Sequence, residues 1–346
     1  MPSRLMRDLM DFTGESFLEG LRSRRILVTG ATGLIGSSVI KALVQAAKTK
    51  DLDIRITAVI RDQTKADRIF KDTDLSLVTF KILDMNGLKA TDIPDSDYVI
   101  HCASITESRA FVEHPAEVIE TSVNGTKALL EYARLKKVSG FVYLSTMEVY
   151  GNPGKGIKVT EDQACAIDPS KVRSSYPLSK MMCENLCICY ASEFKIPVKI
   201  ARLTQTFGPG VSPADSRLYA YFAKCAIEGS DIVLNTRGET ERCYCYLADA
   251  VTAIITLLLK GRAGEVYNVA TDGTYCSVAD MAEMVASRYG ISVTYDLKGA
   301  SGKGFADTLY IDLNTDKLRS LGWRSQDITI LDMIDSVVES LREDMP

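Results

Sequence analysis

A glycine-rich turn between a predicted strand and a predicted helix is the feature that most restricts how this chain can fold. Residues 25–29 are apolar and β-prone, and residues 34–48 follow a helical pattern. Gly30 and Gly33 lie between them, where Gly30 allows a tight turn and Gly33 lets a pyrophosphate approach the backbone, and Gly36 in the helix lets it pack closely on the sheet. The segment therefore predicts a dinucleotide cradle, in which the helix N-terminus donates to the phosphates.

Strand and helix patterns alternate along the first part of the chain. Strands are predicted at 54–60, 77–83, 98–103, 141–145 and 198–203, and helices at 34–48, 116–136 and 177–194. This alternation predicts an α/β fold with a Rossmann doubly wound parallel sheet, which forms an NAD(P)-binding domain at 25–205. Residues 1–24 are expected to form an accessory N-terminal helix.

Beyond residue 205, glycine and proline are more frequent and the periodic segments are shorter. This change predicts that residues 206–346 form mainly a smaller C-terminal α/β substrate-binding lobe. Its helices are predicted near 215–228, 248–260, 277–289 and 328–342, and its short strands at 231–235 and 293–297.

The charge balance excludes several classes of partner. The chain has 346 residues and a formal net charge of -4, from 41 basic and 45 acidic residues that are well mixed, so no nucleic-acid partner is expected. No run approaches the roughly 18 apolar residues that span a bilayer, and the charged N-terminus lacks the apolar stretch of a signal peptide. We therefore expect a cytoplasmic protein without a membrane partner.

The 9 cysteines are expected to be reduced packing residues. The pairs Cys187 with Cys189 and Cys243 with Cys245 lack the Cys-x-x-Cys spacing of zinc sites. No metal site is therefore expected.

Tyr176 and Lys180 stand four residues apart in a predicted helix, so their side chains share one face. An ammonium beside a phenolic oxygen favours the phenolate, and the pair is expected to lower the pKa of Tyr176 from its ordinary value of about 10. Such a tyrosine exchanges a proton with a substrate hydroxyl. The pair by itself also fits an aromatic anchor beside a solvated lysine, so its meaning depends on the other motifs.

The ends of the second and third predicted strands bear on the cofactor. An NAD-preferring site usually has an acidic residue after the second strand, whereas this chain has Arg61 followed by Asp62. An arginine holds a 2'-phosphate well, which favours NADP slightly over NAD. Asp62 as a ribose contact and Arg61 as a solvated surface residue are the alternatives. Asp84, and the backbone after it at Met85, are candidates for contact with the adenine.

In combination, the motifs resemble those of extended short-chain dehydrogenase/reductases of the nucleotide-sugar epimerase/dehydratase family. The layout is most similar to that of UDP-glucuronate decarboxylases and dTDP-glucose 4,6-dehydratases. The resemblance covers about residues 25–340 and is carried by Gly30 to Gly36, Asp84, residues 101–104, 124–126 and 145–151, Tyr176 with Lys180, Arg202 with residues 207–209, and Arg242 with residues 246–250.

The resemblance implies an enzyme that oxidises a nucleotide-diphosphate sugar at C4. Tyr176 would take the hydroxyl proton while the hydride passes to the nicotinamide, Thr146 would hydrogen-bond the oxygen, and Lys180 would hold the nicotinamide ribose. The implied cofactor contacts are Gly30, Thr32, Gly33, Leu34, Ile35, Gly36, Arg61, Asp84, Met85, Cys102, Ala103, Ser104, Asn124, Tyr176 and Lys180. The implied substrate contacts are Thr146, Met147, Gln205, Arg217 and Arg242, of which Arg242 would grip the diphosphate.

Glu148 suggests a second step at C5, because a 4-keto sugar has an acidic C5 proton that a carboxylate can remove. The product would come from decarboxylation, dehydration or epimerisation. The related 4,6-dehydratases have an acid where this chain has Met147, which places ordinary dehydration in doubt. Leu178-Ser179 and Gln205 also depart from the decarboxylase pattern, so the sugar ring is expected to be held differently.

Three other functions remain open at this stage: a simple 4-epimerase, an NADP-dependent ketone reductase, and a non-catalytic dinucleotide-binding protein. The presence of Thr146, Tyr176 and Lys180 argues against the last, and Arg242 argues against the reductase. By resemblance, helices 116–136 and 177–194 would form a homodimer interface. The alternative is that these helices only pack on the sheet.

Overall fold

The computed structural model describes residues 3–163, 166–297 and 308–344. The strands are β1 (Arg25–Thr29), β2 (Arg55–Ile60), β3 (Val78–Ile82), β4 (Tyr98–His101), β5 (Gly140–Thr146), β6 (Lys158–Val159), β7 (Val198–Leu203), β8 (Gln205–Phe207), β9 (Ile232–Leu234), β10 (Glu241–Arg242), β11 (Tyr244–Tyr246), β12 (Val266–Val269), β13 (Cys276–Ser277), β14 (Val293–Tyr295) and β15 (Tyr310–Leu313). The helices are α1 (Arg4–Asp8), α2 (Met10–Thr13), α3 (Leu34–Lys50), α4 (Gln63–Ile69), α5 (Ala110–Glu113), α6 (Pro115–Lys136), α7 (Ser175–Phe194), α8 (Leu218–Glu228), α9 (Leu247–Lys260), α10 (Val278–Tyr289), α11 (Asp316–Arg319) and α12 (Ile330–Asp344).

The main sheet of the described residues has seven parallel strands in the order β12-β7-β5-β4-β1-β2-β3. The strand order reverses between β1 and β4, which creates a crevice at the carboxyl ends of these two strands. The predicted doubly wound α/β fold is confirmed. The crevice lies where the glycine-rich turn leaves β1.

Alternate residues of the strands enter two separate cores. Ile26 and Val28 of β1 join the core that contains α3 and α9, whereas Leu27 joins the core that contains α6 and α7. Both faces of the sheet are therefore covered, as a parallel sheet requires. The helices α6 and α7 pack against each other on one face, and α7 carries Tyr176 and Lys180.

The predicted boundary at residue 205 does not divide the sheet. β12 pairs with β7 at the edge of the main sheet, and α9 packs on it, although both come from the second part of the chain. The rest of that part includes a sheet in the order β13-β10-β15-β6, to which β6 from the first part also belongs. The chain thus crosses between the two regions several times.

The N-terminal segment differs from the single helix that we expected. It consists of α1, α2 and a 3-10 turn at Ser16–Leu21, and Gly14 follows the last residue of α2. These breaks allow Leu9, Leu18 and Leu21 all to be buried in the core that contains α3 and α9. No helix within the described parts of the chain has the length and apolar character to cross a membrane.

Candidate active site

The glycine-rich turn has the close backbone packing that a dinucleotide cradle needs. Gly30 has φ of 65°, and a Cβ there would lie 2.8 Å from the backbone nitrogen of Ala103 after β4. A Cβ on Gly36 would overlap the carbonyl oxygen of Gly30. Gly33 is exposed and lies just before the first turn of α3, whose N–H groups have no partner within the helix. These residues fit the pyrophosphate of a dinucleotide.

The other candidate cofactor contacts surround the same crevice. Cys102, Ala103 and Ser104 follow β4 beside Gly30, and the Ala103 amide donates to Thr29 Oγ1 at 3.2 Å. Thr32, Leu34 and Ile35 are partly exposed at the start of α3. After β3, the exposed carboxylate of Asp84 accepts a hydrogen bond from the Asn86 amide, Met85 packs on α6 at Gly125, and Asn124 is exposed on that helix.

Arg61 and Asp62 have different surroundings at the end of β2. The Asp62 carboxylate accepts a hydrogen bond from the Lys65 amide at 3.1 Å and so caps α4. The Arg61 side chain is exposed and follows β2 directly. Asp62 is therefore already engaged, whereas the Arg61 guanidinium is accessible to a ligand.

Tyr176 and Thr146 meet at the carboxyl end of β5. Tyr176 is buried on the first turn of α7, and Thr146 ends β5. Burial raises the pKa of the Tyr176 phenol well above its ordinary value, and the charge of Glu148 raises it further, while the neighbouring Thr146 hydroxyl lowers it. The structure therefore brings together two of the groups that the resemblance assigns to C4 chemistry.

Lys180 lies one turn after Tyr176 and is also buried. Its Nζ donates to the Leu144 carbonyl oxygen at 2.8 Å and lies 6.0 Å from the centre of the Tyr176 ring. Burial lowers the pKa of the Lys180 ammonium to about 8. Our expectation that this pair lowers the pKa of Tyr176 is wrong for this structure, because desolvation of the phenolate is the larger effect.

Glu148 lies in the 3-10 turn at Met147–Tyr150 and forms an ion pair that the sequence analysis missed. Arg173 Nη1 donates to Glu148 Oε2 at 3.0 Å. The ring of Phe111 stacks on that of Tyr176, with centroids 4.3 Å apart and planes 5° apart. The spacing of three residues between Arg173 and Tyr176 was a usable signal for Arg173. Phe111 comes from a distant segment and had no such signal.

The candidate substrate residues have distinct environments. Met147 is buried in an apolar cluster with Tyr150, and Gln205 is partly buried in β8. Arg217 pairs with Asp215, and its positive charge lowers the pKa of Tyr176, so it faces the same site. Arg242 Nε is buried and has no hydrogen-bond partner within the described residues.

A buried ion pair supports the strand end that carries Thr146. Glu184 lies one turn after Lys180, and Arg202 Nη2 donates to Glu184 Oε2 at 2.7 Å. The Ser145 hydroxyl donates to the same carboxylate at 2.5 Å. Arg202 was a motif residue in the sequence analysis, but its partner Glu184 was not predicted. The pair links β5, α7 and β7 directly behind the site.

A model of the NAD-dependent epimerase/dehydratase family matches residues 26–270. The chain belongs to this family. Family membership confirms the resemblance and makes the protein an enzyme with a nicotinamide dinucleotide cofactor. The cofactor also agrees with the glycine-rich turn that follows β1, at the crevice between β1 and β4.

Two curated relatives and one solved structure show how far the similarity extends. The chain is 29% identical over 252 residues to UDP-N-acetyl-alpha-D-glucosaminuronate decarboxylase of Bacillus cytotoxicus, covering 72% of this chain and 75% of the relative. It is 29% identical over 267 residues to UDP-glucuronic acid decarboxylase 6 of Arabidopsis thaliana, covering 75% and 73%. The dTDP-glucose 4,6-dehydratase DesIV of Streptomyces venezuelae, solved with NAD, is 25% identical with a TM-score of 0.77, covering 92% of this chain and 97% of that one.

Proposed function

We propose that the protein is an NAD(P)-dependent nucleotide-sugar enzyme that oxidises its substrate at C4 and then acts at C5. The observation that carries this proposal is the position of Glu148. It lies in the 3-10 turn directly after Thr146, and its negative charge raises the pKa of the Tyr176 phenol. C4 oxidation needs only the groups on Thr146, Tyr176 and Lys180. A further carboxylate within reach of the same sugar ring provides a base for chemistry at the neighbouring carbon.

The first step uses the two groups at the end of β5 and the start of α7. When bound, the nicotinamide supplies hydride transfer at C4. Tyr176 takes the hydroxyl proton, and Thr146 donates a hydrogen bond to the oxygen as it becomes a ketone. Lys180 Nζ, 6.0 Å from the centre of the Tyr176 ring, would favour the phenolate form of Tyr176 that takes this proton.

The second step takes place at C5 and depends on the ketone at C4, which accepts the electron pair that C5 releases. A C5 proton, or a carboxylate on C5, is lost with its electron pair directed to the ketone oxygen, where Tyr176 and Thr146 donate hydrogen bonds. Because Tyr176 has taken the hydroxyl proton in the first step, its phenol is protonated and donates to that oxygen. Because Met147 is a buried thioether, this position supplies no acid for a departing hydroxyl. Decarboxylation and epimerisation at C5 fit the site better than dehydration.

Two arginines support a diphosphate as the remainder of the substrate. The buried Nε of Arg242 has a hydrogen to donate, and an unpaired donor of this kind costs about 1–3 kcal/mol unless a ligand accepts it. Arg217 faces the site as well. Two curated relatives are named as decarboxylases of nucleotide-linked uronic acids. A nucleotide-diphosphate sugar is therefore the substrate class we propose.

Incubation with candidate nucleotide sugars tests this function. UDP-, dTDP-, GDP- and CDP-sugars, each in neutral and uronic acid forms, are mixed with the protein and either NAD or NADP, and the products are identified by mass spectrometry. We expect at least one of them to be converted. Absence of conversion with every nucleotide sugar, combined with reduction of a simple ketone by NADPH, would favour the ketone reductase instead.

We propose that Arg61 binds the 2'-phosphate of NADP, because its exposed guanidinium follows β2 while Asp62 is used to cap α4. Replacing Arg61 with Ala should weaken NADP binding by roughly 1.5–3 kcal/mol, the range for hydrogen bonds to charged groups, and barely change NAD binding. Titration of both cofactors against both proteins measures this. Equal losses, or tighter NAD binding by the parent protein, would make Arg61 an ordinary surface residue.

We also propose that α6 and α7 form a homodimer interface. Their outward sides expose large apolar side chains, including Ile119 at 43%, Leu135 at 55% and Met182 at 52% of full exposure. A second copy of the chain would cover them. The variant Met182→Arg should shift the protein from dimer to monomer in analytical ultracentrifugation, whereas Val233→Arg, on the remote strand β9, should not. A monomeric parent protein would contradict the proposal.

The cytoplasmic location stays a prediction.

A further inference from the structure

Arg173 carries a positive charge at the proposed active site, and the proposed C4 oxidation does not require it. It lies three residues before Tyr176, in the 3-10 turn at Val172–Ser174 that leads directly into α7. Its ion pair with Glu148 is half-buried, with 39% of the Arg173 side chain and 27% of the Glu148 side chain exposed. A ligand in the site could therefore reach both groups.

Aromatic packing holds Arg173 in a defined orientation. The guanidinium carbon lies 5.1 Å from the centre of the Phe111 ring, and Phe111 in turn stacks on Tyr176. A guanidinium that lies on an aromatic face keeps its planar donor groups ordered for a carboxylate. The charge of Arg173 lowers the pKa of Tyr176, and the charge of Glu148 raises it. Both charges therefore act close to the phenolic oxygen.

The position of the sugar follows from its C4 oxygen. That oxygen must lie between the hydroxyl groups of Tyr176 and Thr146, and the C6 group of a hexose is joined to C5, the carbon next to C4. A group on C6 can therefore reach residues that flank the two hydroxyl groups, among which we place Glu148 and Arg173. In the structure, Arg173 already binds one carboxylate at this place, that of Glu148.

We propose that Arg173 selects nucleotide sugars that carry a carboxylate at C6, and that this carboxylate replaces Glu148 as the partner of Arg173. The proposal rests on the proposed function, which places the sugar by its C4 oxygen. The exchange keeps Arg173 paired and releases Glu148 toward C5. A neutral hydroxymethyl group does not drive the exchange, because hydrogen bonds between two charged groups are stronger than those to a neutral hydroxyl.

Binding measurements on matched ligands test the selection. Dissociation constants for UDP-glucuronic acid, UDP-glucose and UDP, and for the corresponding dTDP compounds, are measured by calorimetry with the cofactor present. Arg173→Gln should weaken binding of the uronic acid nucleotide about tenfold or more and leave the neutral nucleotide sugar and the free nucleotide within about twofold. Arg288→Gln is the matched control, since Arg288 forms an exposed ion pair with Asp335 on the surface of α10 and α12.

The variant Glu148→Gln separates selection from a structural role. Because it removes the internal competitor for Arg173, it should tighten binding of the uronic acid nucleotide by about threefold or more. Equal losses for both nucleotide sugars in Arg173→Gln, or weaker uronic acid binding in Glu148→Gln, would overturn the proposal. A parent protein that converts neutral nucleotide sugars and does not prefer uronic acids would overturn only this inference. A parent protein that binds no nucleotide sugar would overturn the proposed function as well.

Discussion

Replacing Tyr176 with Phe should lower turnover by about 10²-fold or more, because the change removes only the group that exchanges a proton with the C4 hydroxyl. The ring that stacks on Phe111 remains, and so do the buried contacts of the first turn of α7. The fold and the binding of the dinucleotide should therefore be nearly unchanged.

Steady-state turnover and calorimetric cofactor titration are compared for the parent protein and the variant. Tyr295→Phe is the matched control, because Tyr295 is exposed at the end of β14 and its loss should not affect turnover. Full activity in Tyr176→Phe would eliminate Tyr176 as the proton-transfer group. Loss of activity together with loss of cofactor binding would point to a structural role.

Replacing Glu184 with Gln should destabilise the protein strongly, because the Arg202 guanidinium would remain buried without a negative partner. Removing one member of a buried ion pair typically costs about 3–5 kcal/mol of unfolding free energy. Only 10% of the Arg202 side chain and 6% of the Glu184 side chain are exposed, so water does not replace the lost partner. The Ser145 hydroxyl, which donates to Glu184, would also lose its charged acceptor.

Urea denaturation measures this loss. The control is Glu339→Gln, which removes an exposed partner of Arg4 and Arg7 and should cost about 1 kcal/mol or less. Similar small losses in the two variants would show that the Glu184 pair contributes no more than a surface pair. If Glu184→Gln is too unstable to purify, Arg202→Lys should show a smaller loss, because it keeps a positive charge but not the two donors that contact Glu184.

Local sequence patterns were sufficient to predict the fold. The glycine spacing at 30–36 depends on short-range geometry. The strand at 198–203 and the helices predicted at 34–48, 116–136 and 177–194 agree with the observed bounds to within two residues, whereas the short helices α4 and α5 were not predicted. Alternation of strands and helices then leaves few possible topologies. The addition of β12 and α9 to the main sheet was not predicted, because it depends on long-range pairing with β7.

The site was predictable only in part, because some of its contacts also depend on long-range pairing. Thr146, Tyr176 and Lys180 belong to motifs with characteristic spacing, and the structure places Thr146 beside Tyr176. The ion pairs of Arg173 with Glu148 and of Glu184 with Arg202 each join two different secondary-structure segments, so no local pattern indicates the pairings, although the spacing from Tyr176 was a usable signal for Arg173 itself. The direction of the Tyr176 pKa shift was wrong because burial of the phenol cannot be judged from a spacing of four residues.

The most direct test of the proposed function is a reaction in deuterated water, with the position of deuterium in the product determined by NMR. If the enzyme oxidises C4 and then acts at C5, the product should carry deuterium at C5, because a solvent-derived proton is delivered there. Glu148→Gln should reduce this incorporation while reduced cofactor still forms in the first step. A 4-epimerase would return the original hydride to C4. A product without deuterium on any carbon, together with unchanged turnover in Glu148→Gln, would contradict the proposed function.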